Sequence, residues 1–413
     1  MTQEKVFGMP AESGRWVYVV ICLVMYLCLG SVYSYSIFLP EVKKVFNVSA
    51  SQANLPFMIF LASFSVLMFF GGQVMGKLGT KKLALIGGII VGLGWALSAL
   101  ACSSASIGFL ITTYGIIAGG GVGLTYGCPI AIAGRWFPDK KGLAVGLMLA
   151  GFGGSALITG KIANALIPSV GLATTFLYFG IAFAIILVLL ALPFKLPAEG
   201  WKPAGWTPAA GGAASVDFST GEMLGTGSFW GLFLCYTIGC LAGLMAIGIS
   251  KPVGSEVIKI GGDTAATLVG IFAIFNAVGR PLFGSLTDMI TPKWAGVLNL
   301  LIILLSSALM LLAGEGSVAL YVIAFCGFWL TLGGWLAIAP TATATYFGMK
   351  NYARNYGVVF FAYGIGAILG GIISGSAKDT FGSYAVAFKP TLAMAIVGII
   401  IAIALLKPPK KKA

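Results

Sequence analysis

Gly270-Ile-Phe-Ala-Ile-Phe-Asn276-Ala-Val-Gly-Arg280-Pro281-Leu-Phe-Gly284 is an apolar run with an arginine in its lower half. No acid stands within one helical turn of that arginine. A guanidinium in hydrocarbon costs at least several kcal/mol unless it faces a water-filled cavity or a partner anion. Helical spacing places Asn276 and Arg280 on one face, four residues apart. A carboxamide and a planar fork of donors on that face suit a carboxylate. The rest of the chain is read as the machinery that brings an anion to Arg280 and takes it away.

The composition agrees with a membrane setting. The chain has 413 residues, 59% of them hydrophobic and only 9% charged, with a mean hydropathy of +1.00. A soluble domain of this composition would have to coat its surface with apolar side chains. One span needs about 20 apolar residues. Such segments fall at 16–39, 52–75, 83–103, 106–131, 141–166, 171–194, 228–250, 264–288, 294–313, 317–343, 353–377 and 384–406. The expected fold class is therefore an all-α membrane protein with twelve transmembrane helices.

Lys+Arg total 25 against 12 for Asp+Glu, and this excess is read as orientation, not as nucleic-acid binding. With both termini in the cytoplasm, seventeen cations fall on the cytoplasmic side, seven on the other, and Arg280 within a span. A multi-pass protein of the cell (inner) membrane with both termini cytoplasmic is expected. The first apolar run is long, lacks a small-residue cleavage pattern and is followed by further spans, so it is not read as a removable signal.

Several chemistries are absent from the sequence. It contains no histidine, which excludes histidine-based proton relays, acid–base work and metal ligation. Its seven cysteines all lie in apolar spans without C-x-x-C spacing and are read as reduced packing residues. With no clustered acids either, neither an enzyme nor a metal or other cofactor is expected. Gly71 to Lys77 nearly makes a phosphate-binding loop, but Leu78 stands where a Ser or Thr must reach magnesium.

The chain repeats itself. Gly72-Gln-Val-Met-Gly76-Lys77-Leu-Gly79-Thr-Lys81-Lys82 after span two has a counterpart after span eight, Gly284-Ser-Leu-Thr-Asp288-Met-Ile-Thr-Pro-Lys293. The first copy has Gly76 in the place of an acid; the second keeps the acid and loses the later glycine. Arg135-Trp136-Phe137-Pro138-Asp139-Lys140-Lys141 opens span five, and Tyr346-Phe347-Gly-Met-Lys350-Asn-Tyr-Ala-Arg354 opens span eleven in the same manner. Two pseudo-symmetric six-helix bundles follow, 1–194 and 228–413. Residues 195–227, rich in Pro, Gly, Ala, Trp and Ser, form a cytoplasmic linker with a short surface helix around Asp217–Leu224. The first 15 residues are read as a polar arm, and Pro40 as the exit from span one.

Span four is glycine-dense from Gly115 to Gly127, and Tyr126 is the strong polar group on that face. It is either a packed tyrosine at a helix contact or a substrate contact. Tyr33, deep in span one, is either an interfacial residue or a cavity-lining donor.

These residues resemble the monocarboxylate transporters of the major facilitator superfamily and their bacterial relatives, the oxalate/formate antiporters. Trp136-Phe137 through Lys140-Lys141, Leu143-Ala144, Gly146, Ala150 and Gly151 follow the span-five signature of that family, and Arg135–Lys140 is similar to its antiporter version. Glu12, Gly14 and Trp16 match part of the signature before span one. The resemblance implies that Arg280 binds a substrate carboxylate and that transport runs by alternating access with a proton. Animal members carry an aspartate at the position of Asn276, and a lysine where Tyr35 stands; the oxalate antiporters carry a second cation at the position of Tyr363. One embedded cation implies a singly charged substrate. The expected activity is symport of a small monocarboxylate, lactate or pyruvate in type, with anion exchange of the oxalate/formate type as the alternative. Substrate contacts are expected from Arg280 and Asn276, with Tyr126, Tyr33 and Tyr363 on the remaining oxygens. The partners expected are the anion, a proton and the lipid bilayer, with no nucleic acid, and the chain is expected to work as a monomer.

Overall fold

The computed structural model describes residues 5–198, 201–203 and 217–409, leaving out the side chain of Lys141. Among them nine helices are long and apolar enough to cross a membrane. Three are too long for one crossing: Ala50–Ser103, Gly142–Ala191 and Gly262–Leu312 have 54, 50 and 51 residues. At 1.5 Å per residue each would reach about 75–80 Å, more than twice the ~30 Å hydrocarbon core. Each contains one residue out of helical conformation: Gly79 (φ 77°, ψ 162°), Gly171 (φ 80°, ψ 168°) and Thr291 (φ 76°, ψ 155°).

Packing on both sides of these residues shows that the chain doubles back there. Gly119 of Ile107–Trp136 lies against the backbone of Phe60, and Gly121 against that of Val91, on opposite sides of Gly79. Gly333 of Val318–Phe347 lies against Asn276, and Gly334 against Asn299, on opposite sides of Thr291. Gly171 likewise separates Gly151, packed on Leu23, from Gly180, packed on Ala96. Nine helices thus make twelve crossings, and spans seven to twelve repeat spans one to six. The remaining single-crossing helices are Ala11–Phe46, Gly227–Val257, Tyr352–Phe381 and Tyr384–Leu405.

Two expectations for span one need correction. The helix begins at Ala11, after a two-stranded hairpin pairing Lys5–Val6 with Met9–Pro10, so residues 11–15 belong to the span and not to a polar arm. Pro40 does not end it either. The helix tightens to a 3₁₀ turn at Gly30–Ser34, restarts at Tyr35, and runs through Pro40 to Phe46. The proline forfeits the bond that an N–H there would make to the Ser36 carbonyl, and the helix runs on past it. The stop comes from Asn47 in the left-handed conformation (φ 49°, ψ 53°), with Lys43 and Lys44 in the last turn against the helix dipole.

The two halves meet along two seams. Gly357, Gly364, Gly371 and Gly375 line one face of span eleven and lie against Phe69, Ser65, Met58 and Ser51 of span two. Small residues let these backbones approach closely where lipid supplies no hydrophobic drive. The second seam joins spans five and eight, where Leu157 meets Gly270 and Gly153 meets Asn276 and Ala277.

At the end that carries both termini, the span-five opening motif anchors the first helix. Arg15 is only 5% exposed, makes both of its contacts to the Asp139 carboxylate through NH1 and NH2, and donates from NH1 to the Trp136 carbonyl at 2.9 Å. Its guanidinium lies 4.7 Å from the Phe137 ring centroid. Arg15, expected as a solvated cation, is instead the centre of a buried knot. In the second half Asn355 and Asn351 both donate to the Phe218 carbonyl at 3.0 Å, and Asp217 accepts from the Lys350 N–H at 3.0 Å, beside the short helix Thr220–Leu224.

Candidate functional site

Arg280 sits between the halves, 4% exposed, and none of its three guanidinium nitrogens has a hydrogen-bond partner among the described residues. None of the ion pairs among those residues includes it. The groups that act on its charge are tyrosine hydroxyls: Tyr126 first, then Tyr33 and Tyr363. The Tyr126 hydroxyl lies beside the guanidinium. The guanidinium lies 5.6 Å from the Phe152 ring centroid, within cation–π range. A buried, unpaired charge is destabilising by several kcal/mol, and an arriving anion removes that penalty.

The tyrosines come from three different spans. Tyr33 lies in the 3₁₀ turn of span one, whose change of pitch aims the side chain inward, and its hydroxyl meets that of Tyr363 from span eleven at 2.9 Å. This bond crosses from one half to the other. Tyr126 in span four is held by aromatic edges, with Phe64 at 5.0 Å and Phe152 at 5.5 Å between centroids. The Tyr26 hydroxyl donates to the Tyr126 carbonyl at 2.7 Å and fixes the backbone behind it. Arg280, Tyr126, Tyr33 and Tyr363 are thus brought together.

Asn276 is placed differently from a free donor. Its amide donates to the Trp329 carbonyl of span ten at 3.0 Å, while its oxygen faces Gly153 of span five without a polar partner. It ties span eight to span ten, one turn from Arg280. Tyr35 stays out of the site: its hydroxyl donates to the Ala53 carbonyl and its ring stacks on Phe57. Two contributors were not foreseen. Phe152 is the platform beneath Arg280, and Trp329 supplies both the carbonyl for Asn276 and a ring 6.3 Å from Tyr33. The cluster Gly151-Phe152-Gly153-Gly154 was the available signal, because small residues around one aromatic let two helices close on it.

The chain matches the model of the Major Facilitator Superfamily over residues 20–342 and 242–413. It belongs to that superfamily. Within it, the chain is 28% identical over 375 residues to the oxalate:formate antiporter of Oxalobacter formigenes, covering 90% of this chain and 86% of that protein. It is 25% identical to monocarboxylate transporter 13 of Rattus norvegicus, covering 94% and 88%. A solved bacterial homologue of the human lysosomal transporter Spinster superposes with a TM-score of 0.67 at 17% identity, over 96% of each chain. That likeness concerns the fold. The protein is a multi-pass membrane transporter and not an enzyme.

In a facilitator, a site between the halves must be reached from one side at a time. Gly153 of span five touches Asn276 and Ala277, yet Gly146, one heptad away on the same face, has open space beside it. Gly284, one heptad from Ala277, meets only Ala337 of span ten at 3.8 Å. The five–eight contacts therefore lie beside the site and beyond it, and these two glycines nearer the termini make no contact across that seam.

Proposed function

We propose that the protein carries a small monocarboxylate of the lactate or pyruvate type, coupled to a proton, by rocking its two halves about Arg280. The observation that carries this reading is the buried Arg280 guanidinium, with no ion-pair partner among the described residues: one positive charge, three tyrosine hydroxyls and no second cation among them. Charge matching favours a substrate with one negative charge. Arg280 takes the carboxylate in two parallel hydrogen bonds. Tyr126 and one hydroxyl of the Tyr33–Tyr363 pair complete the oxygens, and Phe152 packs against the guanidinium. Asn276 supports the site from span eight with its remaining amide hydrogen. Arg280 does not carry the proton, since a guanidinium stays protonated in proteins.

The lysine and arginine asymmetry supports cytoplasmic termini in the cell (inner) membrane. One chain supplies every group of the site, which supports function as a monomer, with residues 1–194 and 228–413 as the moving bodies.

One observation favours anion exchange as the second reading. An empty carrier must close around an unpaired Arg280, whereas a loaded one closes around a neutralised pair. Empty return is penalised and exchange is not.

Thermal unfolding with ligands tests the charge assignment. Lactate in tenfold excess over its Kd stabilises the purified protein by about 1.4 kcal/mol. Lactamide, of the same shape without charge, gives no shift, and Arg280→Ala abolishes the lactate shift. Equal stabilisation by lactamide would refute the reading.

A further inference from the structure

At the mouth away from the termini, the two halves hold each other by polar groups, and the helix-end hydrogen bonds of span two can be followed one by one. Ser49 caps the helix: its hydroxyl accepts from the Gln52 N–H at 3.3 Å, and the Gln52 side chain accepts from the Ser49 N–H at 3.1 Å. That leaves the N–H groups of Ala50 and Ser51, two orphan donors at the positive end of the helix dipole. Neither is satisfied by its own half. Both donate to Asp379 at the end of span eleven, Ala50 to Oδ1 at 2.9 Å and Ser51 to Oδ2 at 3.0 Å. The neighbouring Lys378 is committed to Glu256 and does not compete for this carboxylate. Gly375 lies directly against Ser51, so the carboxylate is delivered at the closest backbone approach.

The other seam has its own polar contact at the same mouth. Asn164 of span five donates to Asp263 at the start of span eight at 3.0 Å and accepts from Lys251 of span seven at 3.0 Å. A neutral amide shared by a cation and an acid is the weaker of the two contacts. The Asp379 contact has a full charge on two unsatisfied donors.

We infer that Asp379 is the latch of this mouth: it caps span two only when the two halves are closed there, and it must release for the site to open to that side. Its strength sets the balance between the two open states. The inference rests on the alternating-access reading but on no particular substrate.

The test is the rate at which a membrane-impermeant maleimide labels Asn54→Cys in the full-length protein. Asn54 is 2% exposed in the two–eleven seam, and the seven native cysteines are all buried. Adding Asp379→Asn raises the labelling rate roughly fivefold or more. Asp379→Glu, which keeps the charge, raises it much less. Ala50→Pro gives a second route: proline is favoured at the first helical position, Ser49 already has the extended backbone (φ −65°, ψ 167°) a following proline needs, and one of the two donors is removed. It too speeds labelling, and it decides the matter alone if Asp379→Asn does not fold. Parental labelling rates in folded variants overturn the latch. Since no carboxylate substrate enters the assay, that failure leaves the proposed function untouched.

Discussion

Arg15 and Arg280 are both arginines among apolar neighbours, and they do opposite things. Arg15 is paired: Asp139 lies 15% exposed against it, and the Arg15 hydrogen bonds hold the Asp139 carboxyl below its ordinary value. The folded state therefore keeps that carboxylate charged to lower pH than the unfolded state does. Its contribution is complete above the ordinary carboxylate range and is lost as pH falls below about 4 through the depressed value. Asp139→Asn is expected to lower stability by about 2–3 kcal/mol at neutral pH, and to flatten the acid limb of a thermal unfolding series below about pH 5. Arg280 has no ion-pair partner among the described residues, and the proposed function assigns it the substrate anion. Tyr363→Lys would set a second cation beside it, so oxalate affinity should rise and lactate affinity fall in equilibrium binding; unchanged selectivity would mean that Tyr363 does not face the substrate. Arg280 was legible in the sequence because no acid stood within a turn of it. Arg15 was not, because its partners lie 121 and 124 residues away. Asn276 was half legible: its position on the Arg280 face is a matter of spacing, but its bond to Trp329 depends on span ten packing beside span eight.

At the scale of the element, the repeat survives in backbone geometry where it fails in residue type. Gly72, Gly76 and Gly79 share spacing with Gly284, Asp288 and Thr291. Thr291 holds φ 76°, ψ 155°, close to the φ 77°, ψ 162° of Gly79, in a region that only glycine enters without strain. Thr291→Gly is expected to stabilise the protein by about 1 kcal/mol, after the entropy a glycine adds to the unfolded chain, and Gly79→Ala to destabilise it by about 1–2 kcal/mol. Urea or thermal unfolding of both variants reads this out, and opposite signs at the two positions are the essential result. The halving of the chain and the number of crossings could be read from hydropathy and repeated motifs. The abruptness of these reversals could not, because apolar patterning marks what lies in the bilayer and says little about a turn made at one residue. Pro40 misleads for a related reason. A proline removes one backbone hydrogen bond without having to end a helix, and here the helix continues past it to Phe46.

For the whole molecule, the seams and the site form one device. Spans five and eight touch beside Arg280, and at the far mouth Asp379 of span eleven holds the start of span two. The Tyr33–Tyr363 bond spans both halves directly at the site, so an anion that takes either hydroxyl alters a contact between the halves as it neutralises Arg280. In the proposed cycle, binding and rocking would share these atoms. The most direct measurement is uptake of labelled lactate into vesicles containing the purified protein, with an inward proton gradient and no internal anion. The account predicts gradient-driven uptake that disappears in Arg280→Ala. Uptake that survives in Arg280→Ala would contradict the central role of that arginine, and uptake that begins only after the vesicles are preloaded with a carboxylate would replace proton symport with exchange.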